Sequence, residues 1–446
     1  MFSKILIANR NEIAVRIIRA CKEMGIYTIA IYSEADRESL HVSLADESYC
    51  IGPAKVSESY LNINAILTVA QCSGAEAIHP GYGLLSENAA FVERCEACNV
   101  KFIGPRSDVI QRMGNKDEAR MTMKDNNIPI IPGSGCVTDA DMAAAEAAKI
   151  GYPVMIKARA GGGGRGIRIA RDRDEIIKMY DSASTEAKNA FGDGSLYLEK
   201  HLSPVKHIEI QLICDDYGHI ICLGDRECSV QRKNQKLIEE CPASVLNEST
   251  RKNMMSSAVL AAHAVGYTGV GTVEFLLDGE GNYYFLEMNT RLQVEHSVTE
   301  MATGIDIVKW QIRTAAGYEL GFVQEDISYL GQAIECRINA ESPLDDFRPS
   351  SGEIMLLHVP GGHNVRFDTA VYQHYRVQPF YDSLIGKLIV CAQTREEAMR
   401  KMRCALSELV IEGIDHNSEL QLNILSDDDF INGTYTTDFL VGKGYI

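Results

Sequence analysis

Two acidic side chains near residue 280 have the spacing of a metal site. Residues 283–289 (YYFLEMN) alternate in a way that predicts a strand with Glu287 and Asn289 on one face. Residues 271–277 predict a second strand, and the intervening DGEGN predicts a turn. Antiparallel pairing around a loop at 279–282 would set Glu274 directly opposite Glu287.

The charge of this pair determines what chemistry it could do. Two facing carboxylates repel each other, and a hard cation between them reverses the sign of that interaction. Two carboxylates and an amide oxygen are ligands that suit Mg²⁺ or Mn²⁺ carried on a nucleotide phosphate. The alternative is the solvated face of an ordinary hairpin. Arg291, Gln293 and Glu295, which follow closely, favour the site.

A run of glycines lies between two further predicted strands, at 152–158 and 167–170. The intervening residues read RAGGGGRG. Four consecutive glycines cannot pack a core, but the N–H groups of a mobile flap can close over phosphate oxygens, with Lys157 beside them as a point charge. The spacing is not that of a Walker loop. A mobile hairpin tip is the alternative, and the flanking basic residues favour a phosphate lid.

Other polar segments are compatible with ligand binding or with a solvated surface. The strand predicted at 207–213 puts His207, Glu209 and Gln211 on one face, which usually just meets water. The strand at 195–202 has backbone groups that could pair with a purine edge. Residues 229–236 (SVQRKNQK) form a basic cluster, which predicts either an anion site or a solvated patch.

The first 110 residues predict the scaffold for these groups. A strand at 4–8, a helix at 11–24 and a strand at 27–32 form a βαβ unit, and more strands follow at 75–80 and 100–104. No G-x-G-x-x-G follows the first strand, so we predict a doubly wound α/β domain without a dinucleotide site.

Beyond this region the pattern is less regular. HPGYG at 79–83 is a turn at the carboxyl end of a strand, where such folds bind ligands, or simply a turn. Residues 129–135 indicate a domain junction. Residues 335–340 predict a strand with Arg337 at its centre, 380–390 predict a loop into a buried strand, and 395–409 predict an amphipathic helix.

Composition excludes several classes of protein. The 446 residues are 46% hydrophobic and 24% charged, with a net charge of −17, which argues against nucleic acid or an anionic membrane as the main partner. No apolar run reaches membrane-spanning length and the first residues lack a signal peptide, so we expect a cytoplasmic protein. The 13 cysteines are scattered through apolar segments like reduced core thiols. Cys95 and Cys98 lack further zinc ligands, and no base is positioned to make Cys228 a nucleophile.

The order of the motifs resembles, nearly end to end, that of the biotin carboxylase component of the biotin-dependent carboxylases, members of the ATP-grasp superfamily. Motifs in a fixed order are far more specific than a single glycine run. They are IANR at 7–10, IHPGYG at 78–83, GGGGRG at 161–166, EMNTRLQVEH at 287–296 and ECRINAE at 335–341.

The resemblance implies an α/β and α+β architecture. It comprises an N-terminal Rossmann-like, doubly wound domain at 1–112 and, at 113–203, linker helices with a glycine-rich ATP-grasp lid domain. The ATP-grasp C-domain and a C-terminal mixed domain would occupy 204–446. The implied reaction has two stages. Bicarbonate attacks the γ-phosphate of ATP to give carboxyphosphate, and the carboxyl group is then passed to the ureido nitrogen of biotin.

The resemblance also implies roles for single residues. Glu295 would be the base that deprotonates bicarbonate, Arg337 would stabilise the biotin enolate, and Tyr82 would line the biotin pocket. The implied ligands of Mg²⁺ or Mn²⁺ are Glu274, Glu287 and Asn289. The other implied substrate contacts are Lys236, Arg291, Gln293 and Val294. The implied ATP contacts are Lys116, Lys157, Gly162, Gly163, Gly164, Glu199, Lys200, Leu202, His207, Gln231, Asn234 and Leu276.

The chain departs from the family's usual residues at four positions. Asn11 stands where the family has Gly, Asn234 where it has His, and Ser297 where it has Pro. The histidine belongs to the nucleotide site, so Asn234 puts ATP affinity in question more than chemistry, since Asn still donates a hydrogen bond. His363 differs close to the family's dimer contact.

The resemblance implies a separate subunit of acetyl-CoA carboxylase. Its partners would be a biotin carboxyl carrier protein, carboxyltransferase subunits and a second copy in a homodimer, with no nucleic acid and no membrane. Two alternatives stay open. One is another ATP-grasp ligase, such as a carboxyaminoimidazole synthetase, against which the motifs of Arg337 and Tyr82 argue. The other is a regulatory subunit that binds nucleotide without turnover.

Overall fold

The computed structural model describes residues 1–159 and 167–446. The predicted glycine flap, with Gly162, Gly163 and Gly164, lies outside the described residues. Three larger sheets organise the described chain, and they follow one another in sequence.

A parallel sheet organises the N-terminal segment. Its elements are β1 (Lys4–Ile7), α1 (Asn11–Glu23), β2 (Tyr27–Tyr32), α2 (Leu40–Leu44), β3 (Glu47–Cys50), α3 (Ile63–Ser73), β4 (Ala77–His79), α4 (Ala89–Ala97), β5 (Lys101–Phe102) and α5 (Ser107–Gly114). The strand order β3-β2-β1-β4-β5 is doubly wound, which confirms the predicted class. The order reverses between β1 and β4, where Asn9 Nδ2 donates to the carbonyls of Pro80 (2.7 Å) and Tyr82 (2.8 Å). The predicted HPGYG turn therefore lies at the topological switch point, the usual ligand crevice of such sheets.

A small antiparallel sheet follows. Its elements, after the linking helix, are α6 (Lys116–Asp125), β6 (Gly133–Val137), α7 (Ala140–Ile150), β7 (Val154–Ala158), β8 (Arg168–Ala170), α8 (Arg173–Phe191) and β9 (Leu196–Lys200). The strand order is β6-β9-β7-β8. Asp139 and Asp172 cap the two helices on this sheet by accepting from the backbone N–H groups of Met142 and Glu175.

One prediction for this sheet is wrong. The segment 195–202 was expected to offer free backbone groups, but β9 is paired on both edges, by β6 and β7. The Lys200 N–H donates to Pro132 O at 2.7 Å. Periodicity identifies a strand but not whether it is an edge strand, which depends on tertiary pairing. Among the described residues, the N–H of Leu202, just after β9, has no hydrogen-bond partner.

The third and largest sheet mixes residues far apart in sequence. The remaining elements are β10 (Val205–Cys214), β11 (Ile220–Arg232), β12 (Gln235–Cys241), α9 (Glu248–Val265), β13 (Gly269–Asp278), β14 (Tyr283–Asn289), α10 (His296–Thr303), α11 (Ile307–Ala315), β15 (Gln332–Asn339), β16 (Glu341–Ser342), β17 (Arg348–Pro349), β18 (Gly352–Glu353), β19 (Leu356–His358), β20 (Val365–Thr369), β21 (Arg376–Val377), β22 (Leu384–Ala392), α12 (Arg395–Glu408), β23 (Val410–Glu412), α13 (Ser418–Ile424), α14 (Asp428–Ile431) and α15 (Phe439–Gly442). The eight strands run β14-β13-β10-β11-β12-β15-β22-β20.

The two faces of this sheet differ in chemistry. One face packs its aliphatic side chains under α9 and α12, with Ile208, Val273 and Leu388 in its two cores. The alternate residues of the same strands point to the other face, toward α10 and the N-terminal sheet, and many of them are charged. A buried charged face needs internal counter-charges, because isolated ions are costly to bury.

The hairpin of β13 and β14 confirms the predicted facing of Glu274 and Glu287, and the residues between the two strands are the predicted loop, 279–282. Next to the loop, Leu277 pairs with Tyr283, which is one residue off the register that brings Glu274 opposite Glu287. A β-bulge at Leu286 then shifts the register, and Glu274 pairs with Glu287. The predicted strands at 27–32, 207–213 and 335–340 and the helix at 395–409 also form, with ends shifted by at most three residues. None of the described helices combines the length and apolar content needed to span a bilayer.

Replacing Phe275 tests whether the core beneath this hairpin stabilises the protein. Its side chain is fully buried and its ring centroid lies 5.6 Å from that of Tyr283 and 6.4 Å from that of Phe285. We expect Phe275→Ala to lower the free energy of unfolding by about 3–5 kcal/mol because it leaves a cavity. Urea unfolding measures this change. Phe380→Ala, at a side chain 55% exposed, is the control and should change stability little. Equal effects of the two would contradict the packing.

Candidate active site

A connected group of buried charges occupies the face of the large sheet that looks toward α10. Strand alternation places Glu209, Glu274, Glu239, Glu335 and Arg337 on this face, and each is at least nine-tenths buried except Arg337, which is partly exposed. Lys236 and Glu295 reach the same group from the start of β12 and from the residue before α10. These two link the strands' carboxylates into one hydrogen-bonded network.

Lys236 lies at the centre of this network. Its ammonium donates to Glu274 at 3.1 Å and to Glu295 at 2.7 Å, and it also contacts Glu209. Burial would lower the pKa of Lys236, but the three carboxylates outweigh burial and hold it well above its usual range. The amine is therefore a fixed positive charge at neutral pH.

Glu295 bridges Lys236 and Arg337. One carboxylate oxygen accepts from Lys236 and the other accepts from the Arg337 guanidinium at 2.8 Å. Burial alone would raise the pKa of Glu295, but the charges of Lys236 and Arg337 outweigh it and hold the pKa at about 2. Arg337 also donates from Nε to Glu239 at 2.6 Å, which fixes the orientation of its planar side chain.

The predicted metal ligands lie together at the edge of this network. Glu274 accepts from Asn289 Nδ2 (2.8 Å) and Gln293 Nε2 (2.6 Å). Burial would raise the pKa of Glu274, but Lys236 and His207 hold it well below its usual value. Glu287 is solvent-exposed on the cleft floor, where the surrounding protein and the charge of Glu274 raise its pKa. A cation between the two carboxylates would relieve that repulsion, so the all-oxygen set fits Mg²⁺ or Mn²⁺.

A cleft runs from these ligands between β14, the helices α5 and α6, and the small sheet. Its lining includes Lys116 and Lys157 as well as Glu199, Glu287 and Asn289, so the structure brings these five predicted residues together. Lys157 forms an ion pair with Glu199, which also contacts Arg120. Lys157 thus lies beside the cleft with its charge already partnered by protein.

His207 belongs to the carboxylate network and is not among the residues that line the cleft. Its Nε2 atom lies 3.2 Å from Glu209 and 3.1 Å from Glu274. Burial would lower the pKa of His207, but the charge of Glu274, together with its contacts to both carboxylates, raises it to about 9. Leu276 is the cross-strand partner of His207, and Gln231 pairs with Lys236, so both border the network through their backbones.

Three more of the predicted nucleotide contacts, like His207, Gln231 and Leu276, do not line this cleft. Lys200 turns its ammonium to the carbonyls of Gly151 and Tyr152, at 2.9 and 2.8 Å. Leu202 lies just beyond β9, with its N–H free as described above. Asn234 is exposed at the tip of the hairpin between β11 and β12. The roles of all three stay predictions.

The departure at Asn234 has a structural explanation. Arg232 pairs with Gln235, so Lys233 and Asn234 form a two-residue turn, with φ of +48° and +65°. Asn is among the few side chains that tolerate this left-handed conformation and is favoured in such turns. The predicted basic cluster is divided by this hairpin: Arg232 stacks 4.0 Å above the Phe347 ring, whereas Lys236 enters the carboxylate network. It is therefore neither a single anion site nor a solvated patch.

Two other departures are also accommodated. Asn11 has φ of +59°, a conformation that Gly adopts freely, and its amide donates to Leu384 O at 2.6 Å. Ser297 is buried in the first turn of α10 and donates to Glu335 at 2.7 Å while it accepts from Lys387 at 2.9 Å. Serine thus supplies a hydrogen bond that proline could not.

The remaining predicted substrate contacts surround the Glu295 loop. Arg291 donates to Glu87 (2.8 Å) and Asn289 (3.0 Å) rather than to Glu295. The Gln293 side chain bridges Glu274 to Arg226, and the Val294 carbonyl accepts from Lys387 at 2.6 Å.

Tyr82 lies at the switch point of the N-terminal sheet. Its hydroxyl donates to the buried carboxylate of Glu12. Burial and the negative charge of Glu12 raise the pKa of Tyr82 well above its usual value, so this hydroxyl stays neutral.

Several residues that build this site were not identified from the sequence. Arg226 is fully buried and donates to Glu209, Gln211 and Gln293. The others that had no assigned role are Glu12, Glu87, Glu239, Glu335 and Lys387. Charged residues at alternate positions of otherwise apolar strands were the available signal, as in the run GDREC around Arg226.

Comparisons with known proteins agree along the chain. Residues 1–110 match the family model of the biotin carboxylase N-terminal domain, 115–323 that of the carbamoyl-phosphate synthase L chain ATP-binding domain, and 335–441 that of the biotin carboxylase C-terminal domain. Biotin carboxylase 1 of Bacillus subtilis is 53% identical over 442 residues, which cover 99% of this chain and 98% of that protein.

Solved structures are similar to the whole chain. A biotin carboxylase complex with β-γ-ATP from Campylobacter jejuni superposes with a TM-score of 0.96 at 49% identity, covering 99% of both chains. The biotin carboxylase domain dimer of the Hydrogenobacter thermophilus 2-oxoglutarate carboxylase, with MgADP and bicarbonate, superposes with a TM-score of 0.95 at 50% identity. It covers 100% of this chain and 98% of that one.

If Glu287 is a metal ligand, Glu287→Gln should have different effects on stability and on nucleotide affinity. Removing one of two facing charges should leave the stability of the ligand-free protein unchanged or raise it by about 0.5 kcal/mol. The affinity for MgADP should fall at least about tenfold, because one anionic ligand is lost. Titration calorimetry with MgADP, and with ADP in EDTA, separates the two effects. Glu280→Gln, in the loop of the same hairpin, is the matched control. An equal loss of affinity with and without Mg²⁺ would contradict the metal role.

Proposed function

This chain belongs to the biotin carboxylase family, of ATP-grasp fold, and we propose how its residues divide the work of ATP- and bicarbonate-dependent carboxylation of biotin. The observation that supports the proposal most is the position of Glu295 between Lys236 and Arg337. A carboxylate held between two buried cations marks a place where a small anion and a base can be brought together.

Bicarbonate would bind at the start of α10. The N–H groups of Val294 and Glu295 have no hydrogen-bond partner within the described residues, and they precede the first turn of the helix. A helix N-terminus with free N–H groups favours an anion. Lys236 would supply the full positive charge beside them, with Arg291 released from Glu87 to complete the site.

Glu295 would act as the base once the anion has entered. Its pKa of about 2 makes the resting carboxylate a weak proton acceptor. Bicarbonate that takes over Lys236 and Arg337 as counter-ions removes the interactions that depress this pKa, so the basicity of Glu295 would rise when the substrate is in place. The same two cations would then stabilise the charge that develops on the deprotonated bicarbonate.

The metal and the nucleotide would bind on the other side of Glu274. Glu274, Glu287 and Asn289 would hold Mg²⁺, which neutralises charge on the phosphates during transfer. Lys116 and Lys157 would contact phosphate oxygens from the cleft walls, and Lys157 would exchange its bond to Glu199 for one to phosphate. Leu202 offers the free N–H expected of an adenine contact, and Gln231 would lie near the ribose.

Biotin would approach from the switch point of the N-terminal sheet. Tyr82 would line its pocket, with its neutral hydroxyl held by Glu12. Arg337, oriented by Glu239, would stabilise negative charge on the ureido oxygen as the nitrogen becomes a nucleophile.

Partners and domain limits are part of the same proposal. We propose a homodimer that acts on a biotin carboxyl carrier protein with carboxyltransferase subunits, as part of cytoplasmic acetyl-CoA carboxylase. The boundaries 1–112, 113–203 and 204–446 are supported by the three larger sheets, each of which lies within one segment. A second candidate for the molecule that finally receives the carboxyl group from biotin, in place of acetyl-CoA, is a 2-oxo acid. The similarity to the Hydrogenobacter 2-oxoglutarate carboxylase domain suggests it.

The direct test of this function is ADP release from MgATP with bicarbonate, with and without free biotin. We expect release that depends on bicarbonate and rises with biotin. Nucleotide binding without turnover would favour a regulatory subunit, and turnover that biotin does not affect would favour another ATP-grasp ligase.

Glu295→Gln tests the base. The substitution keeps size and one acceptor but cannot take a proton, so turnover should fall about 10²–10⁴-fold while MgADP affinity stays within about twofold. Steady-state kinetics and calorimetry measure these quantities. Glu300→Gln, at a buried acid in α10 that bonds Arg16 and Arg366, is the control and should lower stability rather than turnover of the folded enzyme. Undiminished turnover in Glu295→Gln would exclude Glu295 as the base.

A further inference from the structure

Two buried carboxylates lie next to Arg337, of which Glu239 orients it and Glu335 has no role in the proposed chemistry. Glu239 of β12 and Glu335 of β15 are directly paired across the ladder, and both side chains have no solvent exposure. Directly opposite residues have Cβ atoms only about 5 Å apart. Each carboxylate also has one oxygen, Oε2 of Glu239 and Oε1 of Glu335, without a hydrogen-bond partner. Two such oxygens in a buried facing pair need a common explanation.

The hydrogen bonds around the pair show which atom can carry a proton. The Lys387 ammonium can only donate, so the single proton of Ser297 goes to Glu335 Oε2. Oε1 of Glu239 accepts from Arg337. The unpartnered Oε1 of Glu335 and the unpartnered Oε2 of Glu239 are thus the free positions for a donor and an acceptor within the pair.

The cations nearest Glu335 are engaged by other carboxylates, and Lys387 is linked to Glu335 through the Ser297 hydroxyl. Arg337 is bonded to Glu239 and Glu295, and Lys387 lies 3.4 Å from Glu12. The charged or titratable groups that face Glu335 or surround Lys387 are Glu239, Arg337, Lys387, Glu12, Asp368, Arg366 and His296. Of these, Asp368 is paired with Arg366, and burial keeps His296 neutral by lowering its pKa to about 3.

We propose that Glu239 and Glu335 share one proton, carried by Glu335, and that this neutral acid is a positioning residue that keeps Arg337 directed at Glu295. An ionised Glu335 would place a second negative charge beside Glu239 and draw the guanidinium away from the bicarbonate and biotin site. Consistent with this geometry, burial raises the pKa of Glu335 to about 8 and that of Glu239 to about 6. The functional part rests on the proposed role of Arg337, whereas the shared proton does not.

Whether Glu239 and Glu335 share a proton can be tested without an activity assay. Infrared spectra of the full chain at neutral pH should show a carboxylic acid C=O band that Glu335→Gln removes. Because the folded pKa of Glu335 is raised from 4.5 to about 8, the wild type should lose stability relative to Glu335→Gln as the pH rises from about 4.5 to about 8, with no further loss above that. Glu240→Gln, at the neighbouring buried acid on the opposite face of β12, is the matched control and should leave that band in place. A difference spectrum between the wild type and Glu335→Gln that contains no carboxylic acid band would overturn the shared proton.

The positioning role is tested by kinetics. Glu335→Gln mimics the neutral acid, so its kcat at pH 7 should stay within about threefold of the wild type, whereas Glu335→Ala should lower kcat more than about tenfold. Ionisation of Glu335 should lower the kcat of the wild type toward alkaline pH, and this alkaline decline should be absent in Glu335→Gln. A Gln variant as impaired as the Ala variant, or with an unchanged alkaline decline, would overturn the role even if the infrared result holds.

Ser297→Ala keeps the test decisive if the Glu335 variants do not fold. The Ser297 hydroxyl donates to Glu335 and so lowers its pKa. Its removal should move the alkaline decline of kcat to higher pH by a measurable fraction of a unit. A decline at unchanged pH, in a variant that folds and binds MgADP normally, would contradict the proposal.

Discussion

The site depends on the interaction of the Lys236 ammonium with three carboxylates, those of Glu209, Glu274 and Glu295. Burying a charge costs several kcal/mol unless it is paired and hydrogen-bonded, and three carboxylates in one small volume would otherwise repel each other. Lys236 contacts all three, and they come from β10, β13 and the residue before α10. The site is therefore a property of the assembled sheet, because no segment of the sequence contains both the charge and its counter-charges.

Glu274 joins the two halves of the chemistry. It faces Glu287 across the hairpin on the metal side, and it accepts from Lys236 and Gln293 on the side of Glu295. A change in charge at the metal is thus transmitted to Lys236 through one carboxylate. Arg337, held by Glu239, extends the same network toward the switch point, where Tyr82 and Glu12 lie. In the proposed function, the metal, bicarbonate and biotin would therefore be arranged in this order across the sheet.

Local pattern predicted the elements well, and the facing of Glu274 and Glu287 was predicted from alternation alone. The bulge at Leu286 was not, because a single extra residue leaves no trace in the pattern of apolar residues. The roles of Glu239, Glu335 and Lys387 were also missed, since they depend on β12, β15 and β22 becoming neighbours although their sequences are about 50 to 100 residues apart. Asn234 shows a different limit of the sequence: the φ of a turn explains why asparagine fits there, whereas its role in the nucleotide site stays a prediction.

The central claim is that Lys236 and Glu295 act as one unit, and a double-mutant cycle tests it most directly. The measurement is kcat/KM for bicarbonate in the wild type, Lys236→Met, Glu295→Gln and the double variant, each checked for MgADP binding. The account predicts strong non-additivity, a coupling of about 2–3 kcal/mol, with the double variant hardly worse than either single one. Additive losses, within about 0.5 kcal/mol, would contradict it and would show that the two side chains contribute independently.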